Sequence, residues 1–158
     1  MLVLRRGKRQ SVVIGDQITV TVEDFNDAGD GRRLFGATVG LGFEMPRYVS
    51  VYRDELRARR SSGPHSGKDA PPKQPRPGNL VEVSDAVVRL RIQVPRKVPV
   101  RHNGTPTVGH DMEEGADGPT TVYHVTCRKE DRITICNNII VAALGFHRFV
   151  PREHNACL

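Results

Sequence analysis

Tryptophan is absent and aromatic residues make up only 5% of the chain. Any core must therefore rest on Val, Ile and Leu, drawn from a 37% hydrophobic share of 158 residues, a length that suits one domain or two very small ones. No apolar run approaches the roughly 20 residues that a membrane-spanning helix requires. The opening Met1-Leu2-Val3-Leu4-Arg5-Arg6 turns charged too soon for a signal peptide, which predicts a cytoplasmic protein. Cysteine is scarce. Cys127, Cys136 and Cys157 form no CxxC pair, and the six His stand singly. This spacing predicts reduced thiols and no metal centre. Phosphate-cradling and dinucleotide glycine motifs are missing, and no Ser, Cys or carboxylate stands beside a base at a telling spacing. The expectation is a protein without catalytic activity or cofactor.

Positive charge is plentiful. Lys and Arg number 24 against 18 acidic residues, a formal charge of +6, which favours a polyanionic partner such as RNA, DNA or anionic lipid.

The order of the chain predicts β structure. Val12-Val13-Ile14, then Gly15-Asp16, then Ile18-Thr19-Val20-Thr21-Val22 reads as a hairpin: two alternating runs around a tight turn. Leu2 to Leu4 opens an earlier strand. Asp24 to Arg33 reads as a long polar loop, and strands are expected over Ala37 to Glu44 and Tyr48 to Tyr52, with Pro46 between them. Asp54 stands where an N-cap would, before a short helix ending near Arg60. Residues 61–79 include eleven Pro, Gly or Ser and no large apolar side chain, the composition of a linker. A second linker is expected over 103–120, where Asp111, Glu113, Glu114 and Asp117 are the only charges besides His110. Residues 80–150 hold the remaining β-rich stretches, with a short tail at 151–158.

Those stretches repeat the first part in a changed order. VGLGFEMPRYVSV (39–51) and VRLRIQVPRKVPV (88–100) share six of 13 positions, including Pro46/Pro95 and the Val-x-Val that follows each. The segment 127–146 matches the opening hairpin, with Ile14, Ile18 and Val20 against Ile135, Ile139 and Val141.

Three spaced motifs, Leu2-Val3-Leu4-x-Arg6, Val13-Ile14-Gly15-Asp16-x-Ile18-x-Val20-x-Val22, and Val39-x-Leu41-Gly42-Phe43-x-x-Pro46-x-x-Val49-x-Val51-x-Arg53-x-Glu55-Leu56, resemble the carbon storage regulator (CsrA/RsmA) family. The resemblance covers residues 1 to about 60. It implies an all-β, five-stranded intertwined fold with a short helix after strand five. It also implies a bacterial translational regulator that binds GGA-containing loops in mRNA leaders or small regulatory RNAs. The chain departs from the family at Arg9-Gln10, where Gly-Glu is usual, in a longer loop over Glu23–Thr38, at Gly40, and at Tyr52.

What the resemblance implies for the site is an edge strand, Leu2 to Arg6, beside the strand ending in Val49, Val51 and Arg53. Arg53 is the first choice for reading a base, since an Arg fork matches O6 and N7 of guanine. Leu4 and Arg6 lie beside it, and Arg5, Lys8 and Arg9 would meet phosphates. In the C-terminal half the expected counterparts are Arg101 with His102 at the key position, Thr126 for Leu4, and Arg128-Lys129 for Arg6-Gly7. That half reads as a degenerate copy forming an intramolecular pseudo-dimer, the alternative being an ordinary homodimer through residues 1–60. The two expected sites pair Leu2–Arg6 with Val98–His102, and Val125–Lys129 with Val49–Arg53. The rival function is a protein-interaction module or decoy of the same fold, binding a flagellar assembly factor or a sister regulator.

Overall fold

The computed structural model describes residues 1–53, 78–109, 111–115 and 118–151. Those residues are all-β, in thirteen strands: β1 Leu2–Gly7, β2 Ser11–Ile14, β3 Ile18–Asp27, β4 Ala37–Glu44, β5 Val51–Arg53, β6 Gly78–Glu82, β7 Ala86–Pro95, β8 Val100–His102, β9 Thr105–Pro106, β10 Asp111–Gly115, β11 Gly118–Cys127, β12 Arg132–Ile135 and β13 Ile139–Pro151. The helix expected after Asp54 and most of the linker 61–79 lie outside the described residues. The strand expected at Tyr48 begins later, at Val51. The acidic stretch 103–120 is not simply a linker, because β9, β10 and the start of β11 fall within it.

Two sheets result. One runs β1-β4-β13-β12-β8-β9, with β6 also on β13; the other runs β10-β11-β7-β3-β2-β5. Each contains strands from both ends of the chain. Alternation decides which face turns inward: Ala86, Val88, Leu90, Ile92 and Val94 on β7 are buried, as are Ala37, Val39, Leu41 and Phe43 on β4. These inner faces meet in one aliphatic core to which both sheets contribute.

The sheets repeat one another in detail. The five-strand path β1-β4-β13-β12-β8 has the same order of motifs as β11-β7-β3-β2-β5. Local hydrogen bonds recur in pairs. Arg9 N donates to Val22 O (2.7 Å) and Glu130 N to Ala143 O (2.6 Å); Gly15 N donates to Ser50 O (2.7 Å) and Cys136 N to Pro99 O (3.0 Å); Leu34 N donates to Phe25 O and Val83 N to Phe146 O, both 2.9 Å. Turn conformations recur as well: Arg9 and Glu130 have φ of 68° and 74°, and Gly15 and Cys136 have 61° and 57°.

The central strands share a further device. The register of β3 on β7 shifts between Val22 and Asp24, and that of β13 on β4 between Ala143 and Gly145. An extra residue in a strand reverses the alternation beyond it. Val20 and Val22 point inward before the shift and Phe25 after it; Val141 and Ala143 do so before, and Phe146 after. The two bulges thereby bring Phe25 and Phe146 edge to face across the core, with ring centroids 6.3 Å apart and planes at 89°. The bulge residue Glu23 turns outward and holds Arg89 Nε and His124 Nδ1, each at 3.0 Å.

Candidate nucleic-acid interface

Among the described residues strand β1 pairs with β4, with Leu2 opposite Phe43, Arg5 opposite Gly40 and Arg6 opposite Val39. Met1 (71%), Val3 (53%) and Leu2 (40%) are exposed, and Arg5 is exposed with them. Leu4 packs against the core. Arg6 is the buried charged residue of the described set, at 4% exposure, and its Nε donates to the Arg5 carbonyl at 2.8 Å. Lys8 approaches Asp24 at 3.7 Å while staying 42% exposed, and Arg9 is exposed at the turn into β2.

Strand β5 is the end strand of the other sheet, paired to β2 with Arg53 opposite Val12 and Val51 opposite Ile14. Val49 and Val51 pack against the core, and Arg53 is exposed.

Pairing registers correct one sequence expectation. Val39 and Val88 are matched in the Pro-centred repeat; Arg6 lies opposite the first and Cys127 opposite the second. The counterpart of Arg6 is therefore Cys127, not Arg128, and that of Leu4 is Val125, not Thr126. Burial agrees: Val125 and Cys127 are inside, whereas Thr126 and Arg128 are exposed. A slip of one residue exchanges the faces of a strand.

The expected strand partnerships change too. β1 and β8 stand far apart in one sheet order, as do β11 and β5 in the other. What comes together instead is β8 with β11, across the two sheets: a His102 ring nitrogen, Cys127 Sγ and an Asp131 carboxylate oxygen all lie within 4.8 Å of one another. Leu2–Arg6 is thus not matched with Val98–His102, nor Val125–Lys129 with Val49–Arg53. In the matched pairing registers, Arg6 on β1 and Arg53 on β5 correspond to Cys127 and His102.

The two edges are finished differently. Beyond β8 lies β9, with Arg101 opposite Pro106 and His102 opposite Thr105. Thr107 N then donates to Val100 O at 2.9 Å, and the chain passes Gly109, whose missing side chain leaves room for Thr121 and Tyr123. β10 pairs with residues 118–122 of β11. Strands β9 and β10 therefore strap the second edge. Arg101 is exposed beside this strap, and Arg128 is exposed at the turn leaving β11.

His102 Nε2 sits 3.0 Å from Asp131 Oδ2, and Asp131 also accepts from Arg128 N (2.9 Å) and Asn103 Nδ2 (3.1 Å). Partial burial pushes the Asp131 carboxyl upward, but these three donors outweigh it and leave its pKa below the ordinary value. Burial, helped by the Asp131 charge, pushes the Cys127 thiol up to about 12. Sequence spacing could not reveal this cluster, because its members are distant in sequence and stand on three different elements.

Among the described residues no helix is long and apolar enough to cross a membrane. Among the described residues the fold is a two-sheet, all-β structure with β1 and β5 each at the end of a sheet. Residues 1–61 match the model of the global regulator protein family CsrA. Over 56 residues the chain is 41% identical to the translational regulator CsrA of Ruminiclostridium cellulolyticum, which is 35% of this chain and 65% of that protein. Proteins of the same name from Wolinella succinogenes (39% over 57 residues, 36% and 63%) and Leifsonia xyli (40% over 57 residues, 36% and 56%) are also similar. The chain spans 56–65% of the length of these relatives. No solved structure matches it.

Proposed function

We propose that this protein is a post-transcriptional regulator that reads GGA-containing RNA loops at the β1/β5 edge, and that one chain folds alone as a pseudo-dimer. The observation that carries the first part is the family match over residues 1–61, in which the sheet-end strands β1 and β5 and the turn after β1 carry exposed Arg5, Lys8, Arg9 and Arg53. Unstacked bases in RNA loops offer their edges to protein donors. The Arg53 fork suits the O6 and N7 of guanine, while the unpaired backbone of β1 offers further donors and acceptors beside it. Arg6, buried with its Nε on a backbone carbonyl, fixes the edge strand that carries Leu2, Leu4 and Arg5. The remaining cations draw in phosphates.

Support for the pseudo-dimer comes from the doubled hydrogen-bond pattern, the matching strand orders and the Phe25–Phe146 contact. With both sheets completed within the chain, one RNA edge per molecule is expected, since β9 and β10 strap the other. Arg101 and Arg128 then serve as peripheral charge.

A mobility-shift assay with a GGA-loop hairpin and a GGA-to-CCA control tests the RNA reading. Arg53→Ala should weaken GGA binding by about 1–3 kcal/mol, the range for a lost bidentate guanine contact, with little effect on the control. Equal binding of both hairpins by the wild type would leave a protein partner, such as an assembly factor, as the better reading. Light scattering tests the architecture: a mass near 17.5 kDa is expected at low micromolar concentration, and a mass near twice that would refute it.

A further inference from the structure

The edge opposite the RNA-reading one has lost both of its arginines. Where Arg6 and Arg53 stand on one side, Cys127 and His102 stand on the other, joined by Asp131 from the β11–β12 turn. Each supplies a different ligand atom, and all three atoms lie within 4.8 Å. We propose that this His102–Cys127–Asp131 cluster is a binding site for a thiophilic divalent cation of the zinc class.

The donor set suits that chemistry. Zinc takes Cys sulfur, His nitrogen and carboxylate oxygen in tetrahedral sites, and three protein ligands leave one position for water. At ordinary bond lengths two light-atom ligands on a tetrahedral ion stand about 3.3 Å apart. His102 Nε2 and Asp131 Oδ2 are already at 3.0 Å, so a small separation admits the ion. The supports are in place as well. Asn103 Nδ2 and the Arg128 N–H hold the Asp131 carboxylate, as outer partners orient metal ligands elsewhere. Access is asymmetric: the side chains of His102 and Asp131 are 30% and 22% exposed, whereas Cys127 is buried at 1%. An ion would arrive from the His–Asp side and reach the sulfur last. On binding, the Cys127 S–H gives its proton to solvent and the thiolate pair coordinates the ion, so uptake is favoured by rising pH.

The ion would clamp β8 of one sheet to β11 of the other. This inference does not rest on RNA reading at the opposite edge.

The test uses the full, reduced chain titrated with Co²⁺ and then Zn²⁺. One Co²⁺ per chain should produce a thiolate-to-cobalt absorption and tetrahedral ligand-field bands, both removed by Zn²⁺. The spectrum should persist in Cys136→Ser/Cys157→Ser and vanish in Cys127→Ala. Zn²⁺ should raise the Tm of the wild type and not that of Cys127→Ala. His102→Ala and Asp131→Asn, at half-exposed positions, should each weaken Co²⁺ binding at least about tenfold, which keeps the test valid if the buried Cys127 tolerates no change. Absence of the thiolate band in the wild type, its survival in Cys127→Ala, or unchanged affinity in both half-exposed variants would overturn the proposal.

Discussion

The contact between Phe25 and Phe146 offers a sharp test of how this chain is held together. Both rings are 1% exposed, and they meet edge to face with centroids 6.3 Å apart. Truncating a buried Phe to Ala costs about 3–5 kcal/mol. Against a total stability of about 5–15 kcal/mol for a domain, either change should move the denaturation midpoint far. The aromatic contact itself is worth about 0.5–1.5 kcal/mol beyond burial. Phe25→Ala and Phe146→Ala together should therefore cost less than the sum of the two by about that amount. Because each sheet draws strands from both ends of the chain, all variants should lose structure in one cooperative step. Urea unfolding followed by circular dichroism provides the measurement, and Phe→Leu at both positions gives a milder cycle if the Ala variants are too unstable. Strict additivity within about 0.3–0.5 kcal/mol would show that the rings are not coupled. Two separate transitions would show that the halves fold apart, which contradicts the interleaved sheets.

Further outcomes can be checked alongside. Asp131 has its pKa lowered in the folded protein, so its contribution is present above the unfolded carboxylate pKa and disappears as pH falls through the lower folded value; in chelator-treated protein, Asp131→Asn should flatten the acid limb of Tm against pH, and an unchanged limb would deny Asp131 that role. Cys127, with its thiol pushed up to about 12 and its side chain buried, should resist maleimide in the native metal-free protein at neutral pH and react once urea is added. Neutralising Arg5, Lys8 and Arg9 together should lower affinity for all RNAs alike and flatten the plot of log K against log salt, an effect absent if these cations do not meet phosphates.

Much of this molecule was legible in its sequence because the physics involved is local. Alternation at period two marks each strand and its inner face; Gly15-Asp16 and the Pro46 and Pro95 turns separate strands by their own backbone preferences. The repeat of 39–51 in 88–100 was visible for the same reason, as was the resemblance of residues 1–60 to the family later matched. Other features needed the tertiary structure, since they depend on which distant segments meet. Alternation specifies an inner face but not a partner strand, so β1 could be expected beside β8, whereas the structure pairs it with β4, at the far end of that sheet from β8. The bulges at Glu23 and Leu144 keep Phe25 and Phe146 inside, at places a strict alternation would turn outward. Composition made 103–120 look like a tether, yet it supplies β9 and β10, because pairing with an open edge orders a polar segment that has little to bury. The His102–Cys127–Asp131 cluster is the plainest case. Ligands brought together from three elements leave no spacing signal in the chain, and one residue of register decides whether Cys127 or Arg128 faces inward.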